Sequence, residues 1–309
     1  MRLVTAASAA LLAATFGSSA LAQAPAQPAA PAAPAAAPAR PQIATTKVEG
    51  TENVYIFRNG NHQAMFVVTK DGVIATDPIA YGRPDGGRQY VEEIRKITQA
   101  PIKYVIYSHH HLDHIAGGKA LKDAGAKVVA HETATKRLKA LKDPHTVIPD
   151  ESVGNRGRTI KLGGTELRLV YTGRNHSDSS LVMFLPKEKI IFAVDFNQLG
   201  AVPSRLGVND SYPVEWEESL KKTLALAWDR MIPGHPGPNG RLGTRQDMEQ
   251  QLAFQTDLSA EVKKAAQDGK CFDPASKDVR LPKYGTMANY EQNIEWNVHR
   301  YCGYWGRGI

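Results

Sequence analysis

The chain has 309 residues, 42% hydrophobic and 22% charged, which is enough apolar content for a sizeable core and too much for a disordered chain. Its 38 Lys and Arg against 31 Asp and Glu leave a formal net charge of +7. The basic residues are scattered, with no dense Lys/Arg run interleaved with aromatics, so a solvated basic surface and a small-molecule substrate are expected and a nucleic-acid partner is not.

At the N-terminus, Arg2 precedes an apolar stretch over residues 3–16 and small residues ending in Ala20-Leu21-Ala22. This is the pattern of a secretory signal peptide over 1–22, cleaved after Ala22, and it predicts a periplasmic or secreted protein. The stretch is shorter than the roughly 20 apolar residues a bilayer span needs, so no integral span is expected after cleavage; a retained anchor is the alternative. Residues 23–41 are almost wholly Ala, Pro and Gln, a composition that cannot bury a core and predicts a semi-rigid tether. No later composition break separates independent units. One catalytic domain is expected over 42–243, with a helical extension over 244–309 packed on it.

Strand-like runs follow at 53–57, 64–68, 73–76, 102–107, 127–130, 165–171, 181–185 and 190–194. Helical spacing marks 89–98, 132–141 and 214–228, the last with Leu220, Leu224 and Ala227 on one face. Alternation of this kind predicts an α/β fold. Asn59-Gly60-Asn61-His62 reads as a hairpin turn between two strands, and His62 there is a candidate lid or substrate contact as well as an ordinary turn residue.

The densest chemical signal is His109-His110-His111-Leu112-Asp113-His114, between the strand ending near Tyr107 and a helix start at Ile115. Residues two apart on an extended segment point the same way, so His109 and His111 can grip one cation while His110 faces elsewhere. Once the chain turns into the helix that alternation ends, freeing Asp113 and His114 for a second cation. Two metals need further ligands, and His176, Asp195 and His235 stand near the ends of apolar runs downstream. Taken singly, each also reads as an ordinary loop, cap or turn residue.

In this order the motifs resemble the metallo-β-lactamase superfamily: an H-x-H-x-D-H loop, an isolated His, an Asp at a strand end and a His in a Pro-Gly-His turn. The resemblance spans roughly residues 48–243 and implies a four-layer αββα sandwich. It implies His109, His111 and His176 as ligands of one metal, Asp113, His114 and His235 as ligands of a second, and Asp195 as a bridge. Asp77 matches the family's early Asp, which supports the His loop from behind. Two Zn²⁺ per chain are implied, with iron or manganese as alternatives. A shared hydroxide positioned partly by Asp113 would attack the substrate.

A bridging Asp is typical of members similar to glyoxalase II, whereas true β-lactamases of the family generally carry another residue there; the Ile232-Pro233-Gly234-His235-Pro236-Gly237-Pro238 ending, followed by a helix, resembles exported zinc hydrolases. The implied reaction is cleavage of an ester, thioester, lactone or related carbonyl bond. A mononuclear iron persulfide dioxygenase, with two His and one Asp on iron, is the alternative from another reaction class, and β-lactam hydrolysis is a lesser one.

Residues 197–212 form a long loop of the kind that walls a pocket, with Tyr212 a candidate hydrogen-bond donor to substrate. Beyond it, 246–267 and 289–304 read as helices, with Trp296, Tyr301, Tyr304 and Trp305 expected to pack the extension onto the core. His131, His145 and His299 read as structural or solvent-facing. The only cysteines, Cys271 and Cys302, form an even pair that export would oxidise to a disulfide.

Overall fold

The structure, a computed structural model, describes residues 42–309; the leader and tether expected over 1–41 lie outside the described residues. Two sheets organise the chain. The first has seven strands in sequential order: β1 (Ile43–Lys47), β2 (Val54–Asn59), β3 (His62–Thr69), β4 (Gly72–Thr76), β5 (Ile102–Ile106), β6 (Lys127–His131) and β7 (Glu151–Val153). β1 to β4 form an antiparallel meander, and β4 to β7 run parallel. The second sheet holds β8 (Arg158–Leu162), β9 (Thr165–Tyr171), β10 (Leu181–Leu185), β11 (Ile190–Ala193) and β12 (Arg230–Pro233), in the order β12-β11-β10-β9-β8.

The strand sequences explain the layering. Along β3, Met65 and Val67 join the core between the sheets while Ala64 and Phe66 join the outer cluster, the period of two expected of a strand buried on both faces. β10 behaves the same way, with Leu181, Met183 and Leu185 inward and Val182 and Phe184 outward. The outer face of the first sheet is covered by α1 (Gly86–Ile97), α3 (Gly118–Asp123) and α4 (Glu132–Leu141), through Tyr90, Ile94, Leu121 and Leu138. A single short turn, α2 (Leu112–Ile115), lies between α1 and α3 in sequence.

The second sheet is covered by α6 (Pro213–Leu224) and the start of α7 (Arg245–Gln267), whose Trp216, Leu220 and Met248 pack on Phe184 and Ile191. This is the αββα arrangement. The helix expected over 214–228 stops at Leu224; Trp228 instead folds back, fully buried, and its indole N–H donates to the Thr223 carbonyl at 2.8 Å. The half-exposed edge strand β1 and the four-residue α5 (Arg205–Val208) went unanticipated, the first for want of a clean apolar alternation, the second for its shortness.

α7, α8 (Asp273–Asp278) and α9 (Tyr290–Arg307) build the extension around Phe254, Leu258, Val262, Ile294 and Val298. Tyr301 is buried there, and Cys271 and Cys302 pair as a disulfide. Trp305 packs against this cluster and donates to Ser259 Oγ, with Tyr304 edge-on to its ring. Trp296, by contrast, stays 40% exposed with Arg205 over its ring. No helix among the described residues is long and apolar enough to cross a membrane.

Candidate metal centre

The topology brings loops from both sheets to one rim. β11 and β12 are parallel with Ala193 opposite Pro233, so Asp195 and His235, each two residues further on, emerge side by side. β4 and β5 are parallel with Thr76 opposite Ile106, which sets Asp77 beneath the His loop. Asp77 Oδ1 accepts from the Ser108 amide at 2.7 Å, and its other oxygen lies 3.5 Å from His114 Nδ1. His176 arrives from the loop between β9 and β10. The turn before His235 needs Gly234, because a Cβ there would stand 2.5 Å from Val194 Cγ1 and 2.9 Å from Asp195 Oδ1.

All seven residues read as ligands come together. His109, His111 and His176 offer nitrogens within 4.8 Å of one another; the imidazole nitrogens of His62, His114 and His235 and a carboxylate oxygen of Asp113 form a second such group. Asp195 stands between the two groups. Its Oδ2 is 3.1 Å from His114 Nε2, 3.6 Å from His176 Nε2 and 3.9 Å from His109 Nε2, while Oδ1 is 3.3 Å from His235 Nε2. Its backbone sits at φ 65°, a left-handed conformation that Asp tolerates better than most residues.

The outer nitrogens of four of the five rings are hydrogen-bonded; that of His114 only approaches Asp77. His176 Nδ1 donates to the Gly207 carbonyl at 2.8 Å and His235 Nδ1 to the Asn61 carbonyl at 2.6 Å. His111 Nε2 donates to Asp210 at 3.1 Å, and His109 Nδ1 pairs with Ser108 Oγ at 2.9 Å. Such partners orient imidazoles on a metal and set their tautomers. Inward, His109 Nε2, His114 Nε2 and Asp195 Oδ1 are buried without any hydrogen-bond partner; the 3.1 Å approach of His114 to Asp195 is an ion-pair contact lacking hydrogen-bond alignment. Buried polar atoms of this kind are costly unless something else satisfies them. A set of five imidazoles and two carboxylates is the chemistry that borderline divalent cations take, so the residues fit the implied metals.

The sequence profile of the metallo-beta-lactamase superfamily matches residues 58–235, which contain every one of these residues. The chain belongs to the metallo-beta-lactamase superfamily. Among curated relatives of this superfamily member, the alpha subunit of 2,4-dinitroanisole O-demethylase from Nocardioides sp. (strain JS1661) is 24% identical over 63% of this chain and 58% of its own length. A type 2 metallo-beta-lactamase from Bacillus sp. (strain 170) is 28% identical over 51% and 59%. The chain thus spans a little over half the length of these relatives. Among solved structures, a double mutant of a sec-alkyl sulfatase superposes with a TM-score of 0.70 at 15% identity, covering 86% of this chain and 50% of that one.

Electrostatics follow from burial and proximity in this superfamily site. Burial, reinforced by His111 and His114, holds His109 well below the usual histidine range. Burial opposes charge on Asp195 too, yet His114 and His235 outweigh it and hold that carboxyl well below its usual range. For Asp113, burial is overcome by the His62 hydrogen bond and by His114, which bring it down to about 2.

Other candidates land elsewhere. The Tyr212 hydroxyl donates to Asp178 at 3.4 Å under Arg174, and Tyr212 does not line the cavity over the cluster. His110 turns away onto Ser179 and Ser177. His131 stacks on Tyr171 and pairs with Asn155. Sequence reasoning missed Asp210 and the carbonyls of Asn61 and Gly207. A carbonyl leaves no trace in residue type, and an Asp in a long polar loop looks like any turn residue.

Proposed function

We propose that this chain is an exported dinuclear zinc hydrolase that cleaves an ester, thioester, lactone or related carbonyl bond in a substrate with an apolar body. The observation that carries this reading is the convergence of buried, unpartnered His109 Nε2, His114 Nε2 and Asp195 Oδ1 on one rim. Two divalent cations there would supply Lewis acidity and a water ionised near neutral pH. Five neutral imidazoles and two carboxylates offset only about two of four positive charges, so the site favours electron-rich carbonyls and anions.

The protein's own residues do the rest. Asp195, ionised despite its burial and reaching histidines of both groups, would offset part of the positive charge of the two cations. Asp113, with a side chain 40% exposed at the cavity, is placed to orient the attacking water and to pass its proton toward the leaving group. No side-chain nucleophile is required.

A cavity of about 590 Å³ opens above these residues. Tyr81 (52% exposed) and Leu206 (80% exposed) stand on its walls with Leu112, and among the described residues no Lys or Arg lines it. Such walls suit an apolar substrate body better than a polyanion. The names of the relatives, a demethylase of an aromatic ether, a beta-lactamase and an alkyl sulfatase, agree with a metal platform whose leaving group varies. Beta-lactam hydrolysis is then a lesser activity.

The test is a panel of thioesters, lactones and aryl esters of increasing acyl length. Turnover is expected to vanish with a chelator, return with Zn²⁺, and fall by several orders of magnitude in Asp113→Ala without unfolding. A rate untouched by chelation overturns the proposal, and one iron per chain with oxygen uptake replaces it by the dioxygenase reading.

A further inference from the structure

We propose that His62 is a positioning residue for Asp113, held by Arg83 in the one tautomer that can donate to that carboxylate. The inference rests on the reading of Asp113 as a working residue of the metal centre.

His62 opens β3 at the end of the Asn59–His62 hairpin, and this hairpin is fastened in place. The Gln63 amide donates to the Gly234 carbonyl at 2.8 Å, Gln63 Nε2 to the Pro233 carbonyl at 2.9 Å, and the Asn61 carbonyl accepts from His235. His62 therefore sits on a fixed wall.

Its two nitrogens face unlike partners. Arg83 Nη2 lies 3.3 Å from His62 Nδ1, and Asp113 Oδ2 lies 3.1 Å from His62 Nε2. A guanidinium has only donors, so Nδ1 must present its lone pair and the ring proton must sit on Nε2, pointing at Asp113. The opposite tautomer would set two N–H groups against each other on one side and a lone pair against a carboxylate on the other. Although His62 falls within the same group of donors as Asp113, His114 and His235, a protonated Nε2 cannot ligate a cation. Its role is to hold the carboxylate.

Arg83 is itself placed for this. Its Nη1 donates to the Ile79 carbonyl at 3.2 Å, and Gly60, at φ +62, leaves its tip space: a Cβ there would stand 3.1 Å from Arg83 Nη2. Asp113 is 40% exposed, and besides His62 its carboxylate approaches only His114 Nε2, at 3.5 Å, among the described residues.

The experiment reads tautomer and metal binding beside turnover. In metal-free and zinc-loaded protein, ¹⁵N imidazole NMR should show His62 protonated at Nε2. His62→Ala should weaken the second zinc and lower kcat by about 10- to 100-fold with little change in KM. His62→Gln, whose amide can donate to the same oxygen, should recover most of the loss. Arg83→Glu, which accepts instead of donating, should move the proton to Nδ1 and reproduce the alanine defect. A His62 protonated at Nδ1 in the wild type, or a glutamine variant no better than alanine, overturns the proposal. Failure of the hydrolase reading shows separately, as wild-type protein that takes up no zinc.

Discussion

His111 Nδ1 and His176 Nε2 face each other at 2.9 Å, and in the tautomers their outer partners require each presents a lone pair to the other. Each ring has spent its N–H on the far side, His111 on Asp210 and His176 on the Gly207 carbonyl. Burial, ahead of the opposing pull of Asp195, keeps His176 below the usual histidine range. Two lone pairs at that distance repel unless a cation takes both. Metal removal should therefore destabilise the domain. At a free metal concentration about 100-fold above Kd, occupancy adds about 2.7 kcal/mol, and a chelator should lower Tm by several degrees in a thermal-shift assay, reversibly on Zn²⁺ addition. An unchanged Tm would show that nothing bound is being removed.

Asp210 is more than half exposed, yet it orients His111. Asp210→Ala should weaken the first metal about 10- to 100-fold in a competition titration against a chromophoric chelator, with the fold intact by circular dichroism. Wild-type affinity in that variant would mean the ring is oriented by packing alone.

The site was more legible in the chain than the fold's periphery. The His109–His114 cluster, His176, Asp195 and His235 are separated by stretches that the parallel pairing of β11 with β12 and of β4 with β5 brings to one rim. Their residue types carry metal chemistry, and the resemblance of their order to the superfamily's motifs grouped them. Asp210 and the Gly207 carbonyl escaped notice because orienting a ring needs only an acceptor in the right place. Placement of the 197–212 loop depends on the extension: Asn297 Nδ2 donates to the Pro203 carbonyl at 2.8 Å and Arg300 Nε to the Ser211 carbonyl at 2.8 Å. Long-range contacts like these have no local signature.

The disulfide ties α9 back to the segment ahead of α8, 31 residues away. Replacing both cysteines with serine should cost about 3–4 kcal/mol in urea denaturation, by the loop entropy released to the unfolded chain. Zinc content should not change. A loss below about 1 kcal/mol would show that packing around Val298 and Tyr301 holds the extension without help from the crosslink.

Asp247 caps α7 and accepts from both terminal nitrogens of Arg241, Nη1 at 2.8 Å and Nη2 at 2.6 Å. Burial opposes its charge, but the Arg241 pair and the Thr244 hydrogen bonds outweigh this and hold its carboxyl below the usual range. A depressed folded pKa stabilises above the unfolded value and is lost as pH falls through the folded one. Asp247→Asn should thus cost about 1–3 kcal/mol at pH 7, a difference that narrows below about pH 4. A gap that stays constant down to pH 2 would remove the charge from the explanation.

The account depends most on two metals held by one rim. Anomalous diffraction at the zinc edge from crystals of the purified protein tests this directly. Two peaks are predicted, one among His109, His111 and His176, the other among Asp113, His114 and His235, with Asp195 reaching both. A map with no peak there, or a single peak away from Asp195, would contradict it.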